Sequence, residues 1–164
     1  PGVAFDQVTV GGAVTLDGTL DVDFLSGFFP VPGQTFQVMT YASHTGEFAT
    51  LDGAGFLDIA TALVPVYGAT DLTLVTAIPG DFNFDGVVNG LDANVISINF
   101  NDLGAGFQNG DANFDGIVNG LDANILAINF NKTNPAQAVP EPSAALLLTF
   151  GVAGLGIRRH RRSR

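Results

Sequence analysis

Cysteine is absent from the 164 residues, which excludes a disulfide framework, a thiolate metal site and a cysteine nucleophile. Charge is scarce as well: 13% of residues are Asp, Glu, Lys or Arg, and only six of them are Lys or Arg. Five of those six, Arg158, Arg159, Arg161, Arg162 and Arg164, crowd the last seven positions, leaving Lys132 as the one such residue up to Ile157. That body holds all 16 acidic residues, so its field repels nucleic acid and anionic membrane and attracts divalent cations. No nucleic-acid partner is expected. A basic start followed by an apolar run is also missing after Pro1, so an export signal, and any larger domain, is expected upstream.

What the sequence has in quantity is glycine, 21 residues, and phenylalanine, 14. That balance fits a β-rich, turn-rich extracellular protein. Alternation is clearest in Thr19 to Phe24, where Leu20, Val22 and Phe24 share one face and Thr19, Asp21 and Asp23 the other. Similar runs at Phe5 to Val10, Ala13 to Leu16, Thr35 to Thr40, Glu47 to Leu51, Ala62 to Tyr67 and Leu72 to Thr76 predict further strands, separated by glycine turns. Many short strands suggest a small sandwich or the last coils of a β-solenoid. The run Gly12 to Val22 resembles the β-helical, autotransporter-like repeat proteins exported by bacteria. His44, in a turn-like Ser43-His44-Thr45-Gly46, has no partner at ligand spacing and reads as a solvated loop residue.

An internal repeat begins at Gly80. Aligned at a shift of 30, Gly80 to Asn101 and Gly110 to Asn131 differ only at Phe82/Ala112, Val87/Ile117, Val95/Ile125, Ile96/Leu126 and Ser97/Ala127. Two copies fit a two-fold mini-domain better than a solenoid, which needs three or more. In the first copy Asp81, Asn83 and Asp85 alternate, Gly86 follows, and Asn89 and Asp92 complete a twelve-residue window. The second copy has Asp111, Asn113, Asp115, Gly116, Asn119 and Asp122. A hard cation such as calcium takes six to eight oxygens at about 2.3–2.6 Å, which alternate side chains of a tight loop supply. The carbonyls of Val87 and Ile117 add an oxygen each, and Asn89 and Asn119 bind directly or through water. Asp, Asn and Gly also make good turns, but one pattern kept in phase twice points to two calcium ions.

Each window ends in Asp92 or Asp122 where the general calcium loop has glutamate. With that departure, the repeated D-x-N-x-D-G-x-V-N-G-x-D resembles the duplicated loop of type I dockerins. The resemblance implies a helix after each loop and an approximate two-fold between the halves. Leu91, Val95 and Ile98, and likewise Leu121, Ile125 and Ile128, recur at helical spacing and predict one apolar stripe per helix. Helices this short need each other and the metal to persist. Phe84 and Phe114 read as packing or partly exposed contact residues.

Dockerins bind cohesins, so the resemblance implies a cohesin-like protein partner. The family's contact positions fall here on Gly90, Leu91, Ser97 and Ile98, and on Gly120, Leu121, Ala127 and Ile128. Cellulosomal members often carry a hydroxyl pair where this chain has Gly-Leu, which argues for a non-cellulosomal partner or an intramolecular role. The other reading of Leu91 and Leu121 places them in the core.

The tail resembles a PEP-CTERM sorting signal in its order: Val139-Pro140-Glu141-Pro142-Ser143, apolar Ala144 to Ile157, then Arg158-Arg159-His160-Arg161-Arg162. As a helix the apolar run spans about 21 Å, short of the ~30 Å hydrocarbon core, and so suits a transient stay in the inner membrane. The arginines would stay cytoplasmic, leaving the rest outside. Family resemblance implies cleavage near Pro140-Glu141-Pro142 by an exosortase. An ordinary tail anchor is the other reading.

The expected organisation is therefore mixed. A β-rich region over 1–79 precedes a small helical, EF-hand-like calcium domain over 80–131, a linker over 132–143, and a short transmembrane segment with an arginine tail over 144–164. The expected function is non-catalytic: a calcium-binding, partner-binding segment of an exported cell-surface or matrix protein of a Gram-negative-type bacterium. The competing reading makes it the docking and sorting segment of a polysaccharide-degrading enzyme. Paired acidic residues upstream would favour the enzyme, and continued β repeats a structural role.

Overall fold

The computed structural model describes residues 5–134. Its β part begins with six strands in two sets: β1 (Val8–Thr9), β2 (Ala13–Thr15) and β3 (Thr19–Asp21), then β4 (Thr35–Thr40), β5 (Ser43–Thr45) and β6 (Thr50–Asp52). Each strand of the first set pairs in parallel with its counterpart in the second. Val8 lies opposite Met39, Val14 opposite His44 and Leu20 opposite Leu51, an offset of 30 or 31 residues throughout. Exposed threonines stack along this direction, Thr40 Oγ1 donating to Thr9 Oγ1 at 3.3 Å and Thr45 Oγ1 to Thr15 Oγ1 at 3.4 Å.

Three antiparallel strands follow, β7 (Gly55–Asp58), β8 (Thr61–Tyr67) and β9 (Asp71–Ala77). Because β9 also pairs with β4, the five-stranded sheet runs β1-β4-β9-β8-β7. Thr61 to Val64 of β8 are all buried, as expected of a strand covered on both faces. The strand's period of two explains how: Leu63 lines an apolar cavity of about 330 Å³ with Phe24, Phe28, Phe36, Leu72 and Leu74, while Ala62 and Val64 belong to a second core. Tyr41 clamps the β8–β9 turn, its hydroxyl set 3.0 Å from Gly68 O and 2.6 Å from Asp71 O.

The second core joins the sheet to two ten-residue helices, α1 (Gly90–Asn99) and α2 (Gly120–Asn129). Ala62, Val64 and Ala77 from the sheet, with Ile78 just after it, pack with Phe82, Val88, Ile96, Phe107, Ala112, Val118 and Leu126.

Several sequence expectations shift in detail. Alternation from Thr19 to Phe24 holds in burial, but the paired strand stops at Asp21 and a 3-10 turn follows at Leu25–Gly27. Glu47 to Leu51 yields a strand only over Thr50–Asp52. His44 is not a solvated loop residue: it sits in β5, half-buried, with its ring centroid 5.2 Å from Tyr41 and 6.0 Å from Tyr67. The polar run Ser43-His44-Thr45 looks like a turn, yet the parallel partner Ala13–Thr15 holds it extended. β7 was concealed by Gly55, whose φ of 84° departs from ordinary strand values.

Candidate metal loops and the helices they start

Each helix is started by the loop before it. Asn89 caps α1 by accepting from Leu91 N at 2.8 Å, while Asp92 reaches back to accept from Asn89 N at 2.9 Å. This reciprocal capping box satisfies two donors that a helix start otherwise leaves unpaired. Asn119 and Asp122 repeat it at α2, at 2.7 and 2.8 Å.

The remaining polar groups fold the loop around its acids. Asp81 accepts from Asp85 N at 3.1 Å and Gly86 N at 3.0 Å, and Asn83 Oδ1 accepts from Asp85 N at 2.9 Å. Asp85 Oδ1 accepts from Val87 N at 2.9 Å, and Asp92 Oδ1 from Phe82 N at 2.9 Å, so the last acid closes the loop onto its second residue. The second loop reproduces every one of these bonds at Asp111, Asn113, Asp115, Ile117, Ala112 and Asp122. Phe84 and Phe114, at the fourth place of each loop, adopt left-handed φ of 57° and 61°. Tertiary contact over-determines that conformation: the ring of Phe107 stacks on Phe84 at 5.7 Å and on Phe114 at 5.6 Å.

The two halves strap one another. After α1 the chain pairs with the second loop, through Asn101 N to Val118 O at 2.8 Å and Gly104 N to Gly116 O at 2.7 Å. After α2 it pairs with the first loop in the same way, through Asn131 N to Val88 O at 2.8 Å and Asn134 N to Gly86 O at 2.7 Å.

Electrostatically the loops are unbalanced. Asp81, Asp92, Asp111 and Asp122 are buried, and the one Lys or Arg among the described residues, Lys132, gives its Nζ to Asn129 Oδ1 at 2.7 Å. Burial, opposed by the Gly86 N–H and reinforced by the Asp92 and Asp85 charges, pushes the Asp81 carboxyl up to about 6. Asp111 is raised by burial too, and by Asp122 and Asp115. Among the described residues no three Asp, Glu or His side chains converge as a metal cage by themselves. Amide and carbonyl oxygens must complete the set, and the loops contain them in Asn83, Asn113, Val87 and Ile117. Here the Val87 and Ile117 carbonyls each accept from the Asn89 or Asn119 side-chain amide at 3.2 Å. The donor set is all oxygen and net negative, which suits calcium in chemistry.

The predicted apolar stripe divides: its middle members Val95 and Ile125 are half-buried against the core, while its end members face outward. Leu91 and Ile98 are 64% and 73% exposed and Leu121 and Ile128 are 59% and 50%, so none of them is core. The inward rows are Asp92 with Ile96, and Asp122 with Leu126 and Asn129. Spacing alone could not separate them, because both rows recur at helical intervals. Gly90, Ser97, Gly120 and Ala127 are exposed beside the leucines and isoleucines. Sequence reasoning missed Phe107, which lies outside the repeat, and Asn129, which hides within it as the twin of Asn99. Val139, Pro140, Glu141, Pro142, Arg158 and Arg159 lie outside the described residues. Among the described residues no helix is long and apolar enough to cross a membrane.

The class that this geometry defines is a duplicated loop-and-helix module with oxygen-lined loops. Residues 79–131 match the model of the Dockerin type I domain, and residues 138–162 match the PEP-CTERM protein-sorting motif. The chain thus carries a dockerin type I domain followed by a PEP-CTERM sorting motif. By family, the first implies calcium and a cohesin partner, and the second implies exosortase processing of an exported, surface-sorted protein. No curated protein and no solved structure matched the chain.

Proposed function

We propose that this chain is a non-catalytic attachment segment of an exported surface or matrix protein, in which two calcium ions hold a dockerin that binds a cohesin-like partner. The observation that carries this reading is the pair of matching loops, each burying acids that no Lys or Arg among the described residues pairs with. The ligands would be Asp81, Asn83, Asp85, Val87, Asn89 and Asp92, and Asp111, Asn113, Asp115, Ile117, Asn119 and Asp122. Calcium would neutralise the carboxylates and hold each loop closed, while Asp92 and Asp122 go on capping their helices.

The partner face is the outer row of both helices: Gly90, Leu91, Ser97, Ile98, Gly120, Leu121, Ala127 and Ile128. Its apolar members would supply the buried centre of an interface. The constant parallel offset of strands 8–21 and 39–52 supports the reading of the β part as the end of a β-solenoid. The tail would hold the protein in the inner membrane of a Gram-negative-type cell until exosortase cleavage near Pro140-Glu141-Pro142.

Binding to purified cohesin modules in calcium and in chelator tests the function. Calcium-dependent binding that is lost when Leu91 and Leu121 are both changed to Asp supports it, and failure to bind any of them in calcium counts against the cohesin-type partner. Mass spectrometry of the mature protein tests processing, since retention of Arg158 and Arg159 would contradict cleavage.

A further inference from the structure

The metal loops and the hydrophobic core are the same residues taken alternately. Asp81 precedes Phe82, Val87 precedes Val88, Asp111 precedes Ala112 and Ile117 precedes Val118, and the second member of each pair is buried in the core that includes Ala62 and Val64 of β8 and Ala77 of β9. The same side of the β part meets the helical module at polar points. Fully buried Asn129 donates through Nδ2 to Ile59 O at 2.9 Å, in the turn between β7 and β8, and to Pro79 O at 2.8 Å. Its twin Asn99 bonds within the module, to Val95 O at 3.1 Å and Asn109 O at 2.8 Å. Gly33, before β4, leaves room for Asn134, and Gly55 of β7 faces the Phe114 ring: a Cβ at Gly33 would collide with the Asn134 side chain, and one at Gly55 would lie 3.5 Å from Phe114.

We infer that the dockerin is a calcium-dependent cap on the β8–β9 face, so that metal occupancy of the loops sets the stability of the sheet as well as of the helices. The inference rests on the calcium reading above. A loop cannot open to release its ion without withdrawing Phe82 and Val88, or Ala112 and Val118, from the core that they share with Ala62, Val64 and Ala77 of the sheet. Binding to the native state alone suppresses opening by a factor that grows with free calcium over its dissociation constant, about 100-fold per site at 100 times that constant.

Hydrogen exchange on the full chain, in saturating calcium and in chelator, reads the coupling residue by residue. The amides of Leu63, Val64, Leu72 and Leu74 should exchange at least about tenfold faster in chelator, a conservative fraction of the suppression expected at saturation. In Asn129→Ala that ratio should shrink while two ions still bind, because Asn129 fastens the cap and contacts no metal loop acid. If the loop amides lose protection in chelator but those of β8 and β9 do not change, the coupling is wrong and the calcium reading stands. If neither set responds and no calcium is taken up, both fail. The wild-type comparison decides the matter even if the variant does not fold.

Discussion

Asp81 and Asp92 share the interior of one loop, and the charge of Asp92 adds to burial in driving the Asp81 carboxyl up to about 6. The metal-free folded chain therefore holds a proton on Asp81 more tightly than the unfolded chain, whose value is 3.8. Stability from this group is complete below 3.8 and is lost as pH rises through about 6. Metal-free protein should accordingly be more stable at pH 4 to 5 than at pH 7 as far as Asp81 is concerned, and calcium affinity should fall as pH drops through 6, where protons compete for the same oxygen. Calcium titration at pH 5 and pH 7.5 checks this. Equal affinities would mean that Asp81 is not a ligand.

Asp92→Ala removes a capping box, a loop closure and a proposed ligand at once. The unpaired N–H of Phe82 and the lost cap together should destabilise the calcium-loaded protein by about 2–4 kcal/mol. Calorimetry should then count one ion instead of two. Asp122→Ala should do the same for the other loop, because the two bond networks match.

Phe107→Ala should cost about 3–5 kcal/mol by denaturant unfolding, far more than an ordinary loop substitution. Its ring is buried and lies within 5.3 to 5.7 Å of Phe82, Phe84 and Phe114, and without it the strained φ of Phe84 and Phe114 loses its support.

Ile98→Asp and Ile128→Asp should leave unfolding within about 0.5 kcal/mol of the parent protein, since both side chains face solvent. Partner binding should nonetheless weaken at least tenfold. Loss of stability on a par with that of Phe107→Ala would return these residues to the core and remove the proposed face.

The repeat was the most legible part of the sequence, because a dockerin loop fixes residue type at fixed intervals: the module and its two helix starts at Asn89 and Asn119 follow from spacing alone. The strand at Thr35–Thr40 was equally clear. Which helix row faces inward was not legible, since Leu121 and Ile128 are more apolar than Asp122 and Asn129, and the buried acid is chosen by capping and closing the loop. Nor was the seat of the module on the sheet. Asn99 and Asn129 are identical in the repeat, and only the turn at Ile59, 70 positions away in sequence, makes one of them a latch. His44 was misplaced for a related reason: a three-residue strand takes its conformation from a partner 30 residues earlier, not from its own composition.

Calcium titration of the purified chain by isothermal calorimetry, with far-ultraviolet circular dichroism before and after chelator, bears most directly on the two loops. Uptake of two ions per chain, with helix content lost in chelator and regained on adding calcium, is the predicted result. No stoichiometric uptake, and the same helix content in both conditions, would contradict it.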